Sequence, residues 1–152
     1  MSKAFVFPGQ GAQVIGMGRA LADAYPAAKA VFDEVDAALG EKLSALIWEG
    51  EQDALTLTQN AQPALMATSI AAMRALEAEG VKVTDAAFVA GHSLGEYSAL
   101  CAAGSLSGSR GIGVSVVPGG NHPRSQVFTC GSIYPAAVAR GVGRIGVAAC
   151  SG

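Results

Sequence analysis

Residues 86–100 read Ala-Ala-Phe-Val-Ala-Gly-His-Ser-Leu-Gly-Glu-Tyr-Ser-Ala-Leu. The first five, Ala86–Ala90, are uncharged and predict a buried strand; Glu96–Ala103 predicts a helix. Between them stands Gly91-His92-Ser93-Leu94-Gly95, the Gly-x-Ser-x-Gly pattern of a nucleophile elbow. So tight a turn from strand to helix forces Ser93 into a strained backbone conformation. Side chains at the two flanking positions would collide, which is why glycine occupies both. The corner lifts the Ser93 hydroxyl clear of the sheet. It also leaves the Leu94 N–H, at the helix start, free to face a developing oxyanion. A chance Gly-Ser-Gly turn is the alternative, and the flanking strand and helix count against it.

A serine nucleophile needs a base. The chain has two histidines. His92 adjoins Ser93, and neighbouring side chains on an extended segment point to opposite faces. It therefore reads as a supporting or core histidine. His122 lies in a loop-like stretch, Gly120-Asn121-His122-Pro123, and reads as a loop residue. No convincing base is present.

Working outward toward the N-terminus, Ala4–Phe7 predicts a second buried strand, ended by Pro8-Gly9. Gly9-Gln10-Gly11 follows. It lacks the third glycine or the Gly-Lys-Ser/Thr ending of a phosphate loop. It can be a plain turn. Beside an elbow it can also supply the second oxyanion donor, and the Gln10 N–H is the candidate. Pro26 predicts a helix start, with an apolar stripe at Val31, Val35 and Leu39 and a stop at Gly40. Asp33, Glu34 and Asp36 fall off that stripe and read as a solvated face. Pro63 predicts the opening of a longer helix, with Met66, Ile70, Met73 and Leu76 on its core side and Gly80 at its end. Alternating strands and helices make residues 1–107 an α/β fold.

Composition narrows the function. The 152 residues are 51% apolar and 14% charged, with net charge −2. There is no basic footprint for nucleic acid and none for a membrane surface. No stretch suits a bilayer span, and the N-terminus does not read as a secretory signal. Cys101, Cys130 and Cys150 have no metal-binding spacing and fit a reducing cytoplasm. No metal site is expected.

A seam falls near Ser107. Residues 1–107 hold six Lys/Arg against all twelve Asp/Glu, a net of −6. Residues 108–152 hold four arginines and no acid; they contain no Leu, Lys or Met, and ten glycines. Such a tail is expected to be irregular, with short β-like runs such as Gly113–Val117. A frameshift or a fusion junction would produce this break; a flexible natural C-terminus is the alternative. The two segments are 1–107, with the elbow, and 108–152, the atypical tail.

Three blocks then act together: Phe5–Gln13, Thr58–Leu65 and Ala90–Leu100. In order and spacing they look like the malonyl-CoA:acyl-carrier-protein transacylase family, from residue 4 to about 107. The resemblance implies the N-terminal portion of an α/β-hydrolase-like acyltransferase core. It implies that Ser93 takes malonyl from malonyl-CoA as an ester. Ser93 then passes it to the phosphopantetheine thiol of acyl carrier protein, with no cofactor, in fatty acid biosynthesis. It makes Gln10 and Leu94 the oxyanion donors and places Gln62 on the acyl pocket. Gly91, His92 and Gly95 belong to the signature. The family continues further than this chain. The missing part holds the carboxylate-binding arginine, the activating histidine, a ferredoxin-like subdomain and several strands. Arg110 stands near the path to that arginine, but its neighbours disagree and it is not assigned. A serine thioesterase or hydrolase and a non-catalytic fragment are the competing readings. A partial sheet would expose an edge and an apolar face, so poor solubility is expected. If a shifted frame made the seam, sequencing the gene through codons 100–160 and beyond is expected to recover the family's remaining blocks in another frame. Their absence from every frame would rule that origin out.

Overall fold

The computed structural model describes residues 3–104 and the backbone of Ser132–Pro135. Strand β1, Ala4–Phe7, lies parallel to β2, Phe88–Gly91, with Ala4 opposite Phe88 and Phe7 opposite Gly91. Parallel neighbours need a long crossover. Here it carries α1 (Arg19–Ala24), α2 (Pro26–Leu39), α3 (Leu43–Glu49), α4 (Gln52–Thr56) and α5 (Thr58–Ala78). A single 3₁₀ turn, Val83–Asp85, leads into β2, and α6, Gly95–Ala102, leaves it. Strand β3, Ser132–Pro135, pairs antiparallel with β2, so the order is β1-β2-β3. The tail is thus not irregular throughout: β2 has a second edge whose main-chain groups need partners, and these four residues supply them. Gly113–Val117 lies outside the described residues.

Two cores stabilise the helices and the sheet. Phe32, Val35, Leu43, Ile47, Leu55 and Met66 bring α2–α5 together. Phe7, Met73, Val89, Ala99 and Ala103 join the sheet to α5 and α6. Alternation along the strands explains the second cluster: Phe5, Phe7 and Val89 turn toward the helices. The opposite face is bare. Val6 is 74% exposed and Phe88 45%. The strands are therefore half-buried rather than buried on both faces, because nothing among the described residues covers the side of Ala4, Val6 and Phe88.

Three further expectations need correction. Helix α5 begins at Thr58, and Pro63 sits inside it, fully buried. The missing N–H forfeits one bond, to the carbonyl four residues back, and the surrounding core carries the helix past that gap. Leu76, expected on the core side, is 38% exposed. Asp36 is not part of a solvated face. It is 5% exposed, and its carboxylate accepts the Ser44 N–H at 2.9 Å and the Ser44 hydroxyl at 2.7 Å. Lys42 Nζ lies 3.5 Å away. Asp36 thereby caps the start of α3, whose amides have no helical partner. The pattern within α2 could not show this, because the donors belong to the next helix.

Asp36→Ala is expected to lower stability by about 1–3 kcal/mol, since it strands two donors. Asp33→Ala, which removes an exposed ion pair with Lys29, is expected to cost no more than about 0.5 kcal/mol. Urea denaturation of the two variants checks both values.

Candidate active site

The site begins where β1 and β2 end side by side. The His92 N–H donates to the Phe7 carbonyl at 3.2 Å, the last link between the two strands. Beyond it, Ser93 takes φ +52°, and it is the one described non-glycine residue with positive φ. Left-handed backbone costs a side-chain-bearing residue of order 1–3 kcal/mol. Helix α6 then starts at once: Gly95 N–H donates to His92 C=O at 2.9 Å, and Glu96 N–H to Ser93 C=O at 3.0 Å. Ser93 remains half-buried while Leu94 is buried. The expected elbow geometry is present.

The glycines explain why it closes. A Cβ on Gly91 would fall inside the Gly95 carbonyl group, and one on Gly95 would fall on the Phe7 carbonyl oxygen. The elbow is therefore pressed against both its own helix and the end of β1. A third contact ties in the loop that follows β1. A Cβ on Gly9 would lie 2.7 Å from the His92 carbonyl oxygen and 2.8 Å from His92 Nδ1. Real Cβ atoms do not approach so closely, so only glycine lets the Gly9-Gln10-Gly11 loop rest on the elbow. His92 is exposed and touches Gly9. It is a flanking residue and not a core one, because among the described residues only that loop meets its side of the corner.

The loop is also pinned from below by residues to which the sequence assigned no role. Gln13 is 8% exposed, and its Oε1 accepts the Gly11 N–H at 2.8 Å. Gln52 Nε2 donates to the Gln13 carbonyl at 3.2 Å, and Gln52 Oε1 accepts from Ile15 N–H at 3.2 Å. Gln10 Nε2 reaches Thr58 Oγ1 at 3.3 Å, at the first turn of α5. Gln62 stands half-buried four residues later, on the same side of that helix. Neither the Gln10 N–H nor the Leu94 N–H has a hydrogen-bond partner among the described residues. The Gln13 repetition beside Gly9-Gln10-Gly11 was the available signal for the clamp, but its acceptor role depends on the fold.

Other chemistry is sparse. No cluster of three or more His, Cys, Asp and Glu that could hold a metal occurs among the described residues, and no helix there is long and apolar enough to cross a membrane. Cys101 is buried, and burial pushes its thiol pKa up, with Arg74 pulling the other way and Glu34 adding to the rise. It is an inert core thiol. His122 and Arg110 lie outside the described residues.

A serine perched on a glycine-flanked strand-to-helix corner, with a second loop resting on it, sets the chain among α/β proteins that carry a Gly-x-Ser-x-Gly corner. Within that class the chain belongs to the acyl transferase domain family, which matches residues 4–120 and so runs past the compositional seam. It is 59% identical over 108 residues to malonyl CoA-acyl carrier protein transacylase of Bacillus subtilis strain 168, covering 70% of this chain and 33% of that protein. It is 48% identical over 101 residues to the Escherichia coli K12 protein of the same name, covering 66% and 32%. Among solved structures it resembles the acyl-carrier-protein-S-malonyltransferase of Bartonella henselae, with TM-score 0.74 and 56% identity over 76% of this chain and 37% of that one. It also resembles, with TM-score 0.72 and 41% identity, a malonyl-transacylase solved in complex with its type II polyketide acyl-carrier protein, again over 76% and 37%. The chain spans about a third of the length of these relatives.

Gly95→Ala is expected to cost at least about 2 kcal/mol, because neither the Phe7 carbonyl nor the helix can retreat. Ser93→Gly is expected to change stability by less than about 1 kcal/mol. The relief of the left-handed strain there offsets the greater freedom of the unfolded chain. Paired denaturation curves decide between this and an unstrained corner.

Proposed function

We propose that this chain supplies the nucleophile-bearing portion of a malonyl-CoA:acyl-carrier-protein transacylase of fatty acid biosynthesis. The observation that carries the reading is the contact between Gly9 and His92, which sets the Gln10 loop directly beside the Ser93 corner. In the first half-reaction the Ser93 oxygen attacks the thioester carbonyl of malonyl-CoA. The oxyanion is held by the N–H groups of Gln10 and Leu94, preorganised donors worth several kcal/mol in such a step. Coenzyme A leaves as the thiol, carrying away the proton that Ser93 gives up, and malonyl remains as an ester on Ser93. In the second half-reaction the phosphopantetheine thiol of acyl carrier protein attacks that ester, and Ser93 departs as the alcohol. Gln62, one helical turn beyond the Thr58 that anchors Gln10, borders the acyl group. No step calls for a cofactor. Malonyl-CoA and acyl carrier protein are the partners, and a reducing cytoplasm suits a core with a free buried thiol.

Residues 1–107 form the partial α/β-hydrolase-like core in this reading, without the ferredoxin-like subdomain, and 108–152 are a Gly-rich tail of atypical composition, whose first residues the family match still covers. Such a piece contains the nucleophile and the oxyanion donors but no base to take the serine proton. Turnover of the isolated chain is expected to be at least about 1,000-fold below that of a full-length relative.

The test grafts residues 1–104 onto the remainder of the Bacillus subtilis relative. Malonyl-CoA is expected to add one malonyl mass to the graft and none to its Ser93→Ala variant. Acyl carrier protein should discharge the ester faster than water does. Undiminished loading of the Ser93→Ala variant, or release to water alone, would overturn the assignment.

A further inference from the structure

We propose that Gln13 is a positioning residue for the oxyanion-holding loop: by taking up the Gly11 N–H it fixes the orientation of the Gln10 main chain, and Gln52 holds Gln13 in place to do so. The inference rests on the reading of Gln10 as an oxyanion donor and deepens it, because it gives work to two side chains that stand behind the donor.

The Gln10 N–H is set between two glycines. Glycine rotates freely about both main-chain dihedrals, so nothing within Gly9-Gln10-Gly11 keeps that amide pointing one way. On the Gly9 side, the contact with His92 limits how closely the loop approaches the elbow. It does not stop the next peptide from turning. On the Gly11 side packing contributes nothing, since no atom lies within 4 Å of the place a Cβ would take. The restraint there is a hydrogen bond: the Gly11 N–H donates to Gln13 Oε1 at 2.8 Å. That N–H shares a rigid plane with the Gln10 carbonyl, so holding it fixes the dihedral that follows the Gln10 Cα. The Gln10 side chain adds a second hold, on Thr58 Oγ1 at 3.3 Å, but that bond is exposed and water competes for it.

Gln13 serves as a fixed point because it is itself held. It is 8% exposed. Its carbonyl accepts from Gln52 Nε2 at 3.2 Å, and the Ile15 N–H donates to Gln52 Oε1 at 3.2 Å. One amide group at the start of α4 thus grips the chain at two points. The Gly16 N–H donates to the Ile47 carbonyl of α3 at 2.8 Å. Ile47 of α3 and Leu55 of α4 are fully buried, so both anchoring helices are fixed in the core. Contacts therefore run from the core through residues 13–16 to Gly11 and the Gln10 main chain. A donor held from behind in this way need not reorganise when charge develops in front of it.

The test uses the graft of residues 1–104 onto the remainder of the Bacillus subtilis relative. Gln13→Met keeps the side-chain length and removes the acceptor. Single-turnover malonyl loading of Ser93 is expected to slow by about tenfold or more, with half-saturation by malonyl-CoA changed less than about twofold, because an oxyanion donor acts on the transition state. Gln52→Leu is expected to slow loading as well, and the double variant to be no slower than Gln13→Met within about twofold, since both act through one loop. Val35→Ala, a core deletion in α2 that removes none of these hydrogen bonds, is expected to leave the loading rate unchanged. In the 152-residue chain, Gln13→Met is expected to speed amide exchange at Gly11 by about tenfold or more. Loading by Gln13→Met at the unmodified rate, a loss confined to half-saturation, an equal loss in Val35→Ala, additive losses in the double variant, or unchanged Gly11 exchange would each overturn the proposal while leaving Ser93 and Gln10 in their roles. Failure of the unmodified graft to load would instead overturn the reading beneath it, and the proposal with it.

Discussion

Three absent Cβ atoms set the closeness on which this structure depends. Gly95 lies on the Phe7 carbonyl, Gly91 lies on Gly95, and Gly9 lies on His92. Each contact is shorter than any side-chain-bearing residue permits. Together they weld the end of β1, the loop after it and the corner after β2 into one body. The strained φ at Ser93 persists because its neighbours leave the corner no room to relax. In the proposed reaction, rigidity matters for an electrostatic reason: an amide stabilises a transient negative charge best when it need not move to reach it.

Around this body the polar groups act as pins rather than as charges. Gln13 holds Gly11 and Gln52 holds Gln13, while Gln10 leans on Thr58. These are neutral hydrogen bonds, each worth about 1 kcal/mol net. Their value is geometric. Gln13 occupies the Gly11 N–H, while the neighbouring Gln10 N–H has no partner among the described residues. Asp36 performs a similar service for α3, which in turn packs Leu43 and Ile47 into the core under α5.

The sheet presents a different balance. Its helix side is filled, and its other side carries Val6 and Phe88 into solvent. At about 25 cal/mol per Å² of apolar surface, leaving such a face wet forgoes stabilisation that a covering layer would supply. Among the described residues, the Ser93 corner is built while no layer covers the face of Val6 and Phe88.

Several elements were legible in the sequence because their causes are local. The glycine pair around Ser93, the stop at Gly40, the strand at Ala4–Phe7 and the α/β alternation each follow from steric limits or periodicity within a few residues. What lay beyond reach were matters decided by residues distant in the chain. Asp36 is buried because Ser44 waits for it. Pro63 sits inside a helix because the surrounding core compensates one lost hydrogen bond. Among the described residues, only a glycine loop meets the exposed side of His92, and no layer packs on the outer face of the strands. A local pattern determines which conformations a segment can adopt. Which polar group finds a partner, and which apolar face is covered, depends on surfaces that exist only once the chain has folded.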